Sequence, residues 1–354
     1  MKKLPVIFIC ILLCGCKDNK PQTVHTPLGM TPYIICAESE HISAPLENEK
    51  CMSGAYIEED IPYNEIDAFE KKIQAEEDIY IHYIKKGEDF PMSFVVNCYA
   101  KGKIPMLVLG GDSEYEQAYS VAEICGSLDL PMFIELDYDG DIEKYNSHSA
   151  LFRGYAPKTA LVYGFDADRE DYALPEDADW IAVNAFENMS KGTIDSEYEN
   201  IQRLCRAYSD RSVMLNIAVP VFTADKCNYA VKEACNEIEN LYSLASEQSN
   251  IGAVNYISMS RQKDGRREYS SRLSESESIM YTYGKAVSSV PAARYYNDTP
   301  YMGYVIGDKV IVTENTALLT NAKDISTKYS NLKAVTDYTI DNERKRIYLK
   351  NLPH

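Results

Sequence analysis

From Pro32 onward the chain alternates short apolar runs with segments whose apolar positions recur at helical spacing. The runs Tyr33–Ala37, Asp78–Tyr83, Ile104–Leu109, Pro131–Asp137, Thr159–Gly164, Trp180–Phe186, Ser212–Val219 and Gly252–Ser258 read as eight strands. Between them, Ile66–Gln74, Pro91–Lys101, Tyr115–Ser127, Ile142–Tyr155, Ser196–Tyr208 and Asn228–Glu247 read as helices, and Glu275–Ser288 follows the last strand. The connection from Phe165 to Asp179 contains Pro175 and little helical period, so it reads as a loop. Strand and helix in turn predict a parallel sheet wound by crossover helices, and eight such strands over about 250 residues predict a (β/α)8 barrel. An open doubly wound sheet fits less well, because Ala37-Glu38-Ser39-Glu40-His41 stands where a Gly-rich phosphate turn would follow the first strand.

The two ends differ in character from this middle. Lys2 and Lys3 precede an apolar run, Leu4 to Leu13, whose length of about ten residues suits the core of a secretion signal and is too short to span a bilayer. It ends in Leu13-Cys14-Gly15-Cys16, similar to the lipobox of bacterial lipoproteins, in which the last cysteine, here Cys16, carries the lipid. The expectation is a signal over 1–15, a flexible tether over 16–32 and a barrel over 33–290, anchored to a membrane by lipid alone and exposed outside the cytoplasm. Residues 291–354 form a β-rich segment: Tyr304-Val305-Ile306 and Lys309-Val310-Ile311-Val312 flank a two-residue turn, and Arg346-Ile347-Tyr348-Leu349 is a further strand.

Charge narrows the partners. The 354 residues carry 36 Lys plus Arg against 54 Asp plus Glu, a net charge of −18, which argues against binding nucleic acid or anionic lipid head groups. The cysteines beyond Cys16 (Cys36, Cys51, Cys98, Cys125, Cys205, Cys227 and Cys235) contain no C-x-x-C pair, so they form neither a zinc motif nor a clear disulfide framework; Cys36 with Cys51 could close a loop. Of the five histidines only His82 falls inside a strand, the others falling in loops or on helix surfaces, and neither G-x-S-x-G nor H-E-x-x-H occurs.

In a barrel the chemistry sits at the C-terminal ends of the strands. There the sequence places Glu38, His82 or Tyr83, Asp112, Asp137 with Asp139 and Asp141, Asp166, Glu187, Asn216, and Tyr256 with Arg261. This rim is acidic, suited to a proton donor, to sugar hydroxyls or to a calcium ion, although no metal motif stands out and no cofactor is expected. On the fourth strand, alternation sets Glu135, Asp137 and Asp139 on one face and Met132, Ile134, Leu136 and Tyr138 on the other, so the carboxylates aim at the interior or mouth. Like charges that close raise one another's pKa, as a proton donor at neutral pH requires.

The order Ile66-Asp67-Ala68-Phe69-Glu70, Ile79-Tyr80-Ile81-His82-Tyr83, Phe90-Pro91 and Lys103-Ile104-Pro105-Met106, then Pro131-Met132-Phe133-Ile134, Ala156-Pro157-Lys158-Thr159 and Trp180-Ile181-Ala182-Val183-Asn184, resembles glycoside hydrolase family 26 over residues 61–290. The resemblance implies a barrel that meets a polysaccharide, with an acid/base glutamate after the fourth strand and a nucleophile after the seventh. A retaining mechanism needs the two carboxyl groups about 5–5.5 Å apart. Matching the fourth strand puts the shorter Asp139 at the acid/base place and Glu135 where such enzymes often carry Arg. Matching Ser212–Ala218 puts Ile217 at the nucleophile, and no Asp or Glu lies between Asp210 and Asp225. The single Trp180 begins a strand and reads as core or bottom-face packing, leaving Tyr83, Tyr138, Tyr163 and Tyr256 as stacking surfaces for sugar.

Three functions fit these residues. The leading one is a glycan- or partner-binding barrel that has lost double displacement. A second is an active hydrolase with Asp139 as acid and Glu187 or Asp166 as base, since inversion tolerates about 6.5–9.5 Å between carboxyls. The third is a structural envelope protein with no ligand.

Overall fold

The computed structural model describes residues 31–36, 51–57, 66–290 (apart from 93, 96–97, 99–102, 129–131, 139–140, 168–172, 186–193, 224–227 and 264) and strands between 302 and 349. In chain order these comprise β1 (Thr31–Cys36), β2 (Met52–Ile57), α1 (Ile66–Ile73), β3 (Ile79–Ile84), β4 (Ile104–Leu109), α2 (Tyr115–Leu128), β5 (Met132–Leu136), α3 (Ile142–Tyr155), β6 (Thr159–Asp166), β7 (Trp180–Asn184) and α4 (Ile194–Ala207). They continue with β8 (Ser212–Ile217), β9 (Phe222–Thr223), β10 (Asn228–Tyr229), α5 (Val231–Glu247), β11 (Ile251–Ser258), β12 (Ser260–Lys263), β13 (Arg266–Ser270) and α6 (Glu277–Ser289). The last strands are β14 (Met302–Ile306), β15 (Lys309–Thr313), β16 (Lys333–Val335), β17 (Tyr338–Asp341) and β18 (Arg346–Leu349).

Eight parallel strands, β2 to β8 and β11, close into the expected (β/α)8 barrel. The ring shuts where β11 pairs with β2, Tyr256 lying beside Ala55. The strands are mostly apolar because both faces are covered, the carboxyl and amide exceptions falling toward their C-terminal ends. On β4, Ile104, Met106 and Val108 fill the barrel while Leu107 and Leu109 meet the helices. Trp180 belongs to the inner shell, fully buried with its ring 5.3 Å from that of Phe133 at 81°.

The first barrel strand corrects the sequence reading. It is Met52–Ile57, and the run expected to open the barrel, at Tyr33–Ala37, instead forms β1 of another sheet, ordered β16-β15-β14-β1-β18-β17. There β1 lies antiparallel to β14, Thr31 opposite Val305, and parallel to β18, Ile34 opposite Arg346. Met52-Ser53-Gly54-Ala55-Tyr56-Ile57 has three small residues and little strand propensity, so only its two barrel neighbours make it a strand. The β14–β15 hairpin turns between Ile306 and Lys309, as its sequence signals.

Cys51, Cys98, Cys125 and Cys205 are free and buried, and Cys235 is free and half-buried. They behave as small apolar fillers, and burial pushes the Cys51 thiol up to about 12. With Cys51 free, no bridge to Cys36 closes the loop. No helix among the described residues is long and apolar enough to cross a membrane, and 1–30, with Cys16, lie outside them.

Candidate functional site

Inside the mouth, strand alternation stacks polar residues above an apolar floor. Glu135 and Asp137 turn inward on β5, as expected from Ile134, Leu136 and Tyr138 packing against the helices. A layer of Glu135, Asn184, Asn216 and Asn255 results, at 1%, 5%, 1% and 0% exposure. Asn216 Nδ2 donates to Asn184 Oδ1 at 2.8 Å and reaches both carboxyl oxygens of Glu135 at 3.4 and 3.5 Å. Asn255 Nδ2 donates to Asn216 Oδ1 at 2.8 Å. Burial first, and then the nearby Asp137 charge, push the Glu135 carboxyl well above the usual range, against the opposing pull of the Asn216 bond.

Two glycines make room for this layer. A methyl group on Gly164 would overlap Glu135 Oε1, so glycine makes room for that carboxyl to turn in; Asp137 Oδ1, at 3.4 Å from the same point, would only touch it. A methyl on Gly54 would overlap Asn255 Oδ1 in the same way. The cost of the layer is concentrated at Asn255, whose Oδ1 is buried without a hydrogen-bond partner.

Above this layer the mouth carries Tyr56, Tyr83, Asp137 and Asp166, all half-buried. The Tyr56 and Tyr83 rings meet edge to face at 4.8 Å and 81°. Asp112 is exposed in the turn after β4. His82 is a structural histidine: its Nε2 lies 3.1 Å from Glu88 Oε1, and burial lowers its pKa. Tyr56 was missed because its strand was missed.

The far side of the mouth is closed. Excursions after β8 and β11 assemble a four-stranded sheet, ordered β10-β9-β13-β12, over the ends of those strands. From β13, Tyr269 enters the inner shell at 6% exposure and donates its hydroxyl to the Ala218 carbonyl at 2.9 Å. The buried Ser271 hydroxyl ties the same excursion to the Ile257 carbonyl at 2.7 Å. Nothing in Arg266-Arg267-Glu268-Tyr269-Ser270 signals a plug, because its apolar contacts lie on other elements.

Several expected site residues sit elsewhere. Ile217 faces the helices, so the inward positions ending the seventh barrel strand are Asn216 and Ala218, neither a carboxylate. Tyr256 is wholly buried on the helix side and donates to the Ser271 carbonyl at 2.9 Å; Tyr138 and Tyr163 are buried there too, leaving Tyr83 alone of the four expected platforms. Asn216 lies in the buried layer at 1% exposure, bonded to Asn184 and Asn255. Arg261 is mostly exposed on β12 and pairs with Glu268 at 3.5 Å. His148, expected on a surface, is buried with its Nδ1 2.5 Å from the Tyr138 hydroxyl. Glu38, Asp139 and Glu187 lie outside the described residues.

Among the described residues no three His, Cys, Asp or Glu side chains converge as metal ligands. At the opposite, N-terminal end of β7 and β8, a cleft of about 410 Å³ is lined by Arg153, Asp177, Asp179 and Arg211. Arg153 pairs with Asp179 at 2.9 Å and Arg211 donates to the Ala178 carbonyl at 2.9 Å, contacts that tie the barrel floor together.

No protein-family model and no curated protein matches the chain. Among solved structures, the chain is similar to a Cellulomonas fimi endo-beta-1,4-mannanase double mutant, with a TM-score of 0.50 and 10% identity over 76% of this chain and 79% of that one. A GH113 beta-1,4-mannanase gives a TM-score of 0.48 and 9% identity over 70% of this chain and 100% of that one. Thermotoga maritima Cel5A gives 0.49 and 9% over 68% and 98%. At such identities the likeness concerns the chain trace, and the protein is similar in fold to glycoside hydrolases built on a (β/α)8 barrel.

Proposed function

We infer that this is a glycoside-hydrolase-like barrel, of family 26 descent, which binds a glycan at its acidic mouth without carrying out double displacement. One observation carries the reading. At the end of β8, where a retaining enzyme needs a nucleophilic carboxylate, the inward side chains are Asn216 and Ala218, and Tyr269 is bonded over Ala218. An amide and a methyl group cannot attack an anomeric carbon, and the Tyr269 phenol is pushed further from ionisation by burial.

Four half-buried side chains of the mouth support binding. The Tyr56–Tyr83 pair offers ring surface to the C–H face of a pyranose, and Asp137 and Asp166 can accept hydroxyl hydrogen bonds. The acidic rim favours a neutral or cationic glycan over an anionic one.

The test is a panel of β-mannan, β-glucan and xylan, scored for binding and for reducing ends released. The expected result is binding to at least one polymer without hydrolysis, weakened about tenfold by Tyr83→Ala or Asp137→Asn, near 1.4 kcal/mol each. Hydrolysis abolished by Asp139→Asn would overturn the reading in favour of an active enzyme pairing Asp139 with Glu187 or Asp166. Binding absent, or untouched by both mouth substitutions, would favour the structural role.

The lipid anchor at Cys16 is proposed on the sequence alone. Metabolic labelling with a fatty acid should mark the wild-type chain and not Cys16→Ser; equal labelling of both would remove the anchor from that residue.

A further inference from the structure

Burial of tyrosine is the rule in this barrel, and the exceptions cluster. Among the described residues the large apolar side chains left exposed are Tyr115 at 48%, Tyr119 at 37%, Tyr155 at 46% and Tyr281 at 65%. The first three lie together on the shoulder formed by α2 and α3. We propose that this shoulder is a second carbohydrate site, a platform on which a polysaccharide strand lies after leaving the mouth.

The platform is built into the helix pair. Gly126 of α2 packs so closely on the end of α3 that a methyl group there would overlap the Tyr155 carbonyl oxygen. That approach brings the Tyr119 and Tyr155 rings to 5.2 Å at 80°, an edge-to-face pair with ring surface left toward solvent. Tyr115 is held by its ring contact with His148 at 5.8 Å, and His148 is fixed in turn by the Tyr138 hydroxyl at 2.5 Å. Rings pre-set in this way lose little freedom on binding.

Position and chemistry choose the occupant. Tyr115 opens α2 one residue beyond the Gly110–Glu114 turn, which follows β4 and carries Asp112, so the strip begins at the mouth end of the barrel. Its exposed neighbours Glu116, Ser120 and Glu123 offer hydroxyl acceptors. Among the described residues no exposed Leu, Ile, Met or Phe accompanies these rings, so the strip joins aromatic faces to carboxylate and hydroxyl groups alone. A neutral polysaccharide needs only ring faces and acceptors. The ligand class rests on the glycan reading of the mouth.

The test compares the wild type, Tyr119→Ala/Tyr155→Ala and Asp137→Asn by affinity electrophoresis in gels containing β-mannan, β-glucan or xylan. The same proteins are titrated with the corresponding hexasaccharides. The double variant should lose at least fivefold in apparent affinity for polymer and keep its hexasaccharide affinity, and Tyr119→Phe/Tyr155→Phe should behave as wild type. Polymer retardation unchanged in the double variant would overturn the platform while leaving the mouth intact. Loss of retardation with hexasaccharide binding untouched by Asp137→Asn would instead sink the mouth reading and keep the platform. A wild type retarded by none of the three polymers overturns both. Self-association that disappears in the double variant, seen by sedimentation, would replace the glycan with a second copy of the chain and overturn the proposal.

Discussion

Gly284→Ala is expected to destabilise the barrel by about 3 kcal/mol, although alanine is the better helix former by about 1 kcal/mol. Gly284 lies in α6, where a methyl group would overlap the carbonyl oxygen of Ile73 and sit 2.7 Å from its carbonyl carbon. Those atoms are the backbone end of α1, so no side chain can swing aside and one helix must shift against the other. The neighbourhood cannot give: Tyr283 beside it is fully buried, 6.5 Å from the Phe69 ring and bonded to Glu77 at 2.5 Å. Because α6 follows the strand that closes the ring, the loss should appear as a lower urea midpoint of the main transition. A midpoint equal to the wild type's would show that α1 and α6 are not so closely packed.

The second large effect is a dependence of stability on pH centred on Glu77. This carboxyl is buried at the start of β3 and is pushed from 4.5 up to about 7, first by desolvation, with hydrogen bonds from Tyr283 and Ser53 pulling it back and the charges of Asp78 and Glu70 raising it. The folded protein therefore keeps a proton that the unfolded chain releases between pH 4.5 and 7. Stability from this group is fully present below 4.5, falls as pH rises, and is lost by about pH 7. A shift of this size corresponds to about 3 kcal/mol across the window. Glu135 is raised in the same direction, so it adds loss at higher pH rather than compensating. Glu77→Gln keeps an acceptor for Tyr283 and carries no proton equilibrium, so the difference between its stability curve and the wild type's should slope across pH 4.5–7. Parallel curves would show that Glu77 ionises in the folded state as freely as in the unfolded one.

Both effects arise beneath the mouth, in the frame that carries it. Beneath the mouth lies a layer of amides around the Glu135 carboxyl, whose pKa burial raises; Asp137 and the Tyr56–Tyr83 pair stand above it. Glu135 in this layer is only 1% exposed.

The sequence by itself determined the succession of barrel strands and their helices from Ile66 to Ser289, though not the excursion strands β9, β10, β12 and β13, because parallel barrel strands are apolar runs and their helices carry a one-sided stripe. It also determined that Glu135 and Asp137 point inward, since Met132, Ile134, Leu136 and Tyr138 leave no doubt which face is apolar. Tertiary structure alone decided which segment opens the ring, because Met52–Ile57 is a strand only through its pairing with β3 and with β11, the latter some two hundred positions away. It decided the phase of Ser212–Ile217 as well: a strand buried on both faces has no polar–apolar contrast, and so nothing local distinguishes inward Asn216 from outward Ile217. The Tyr269 plug and the exposed Tyr119–Tyr155 pair belong to the same class, since each exists only where two separate elements meet, and local patterning carries no record of that meeting.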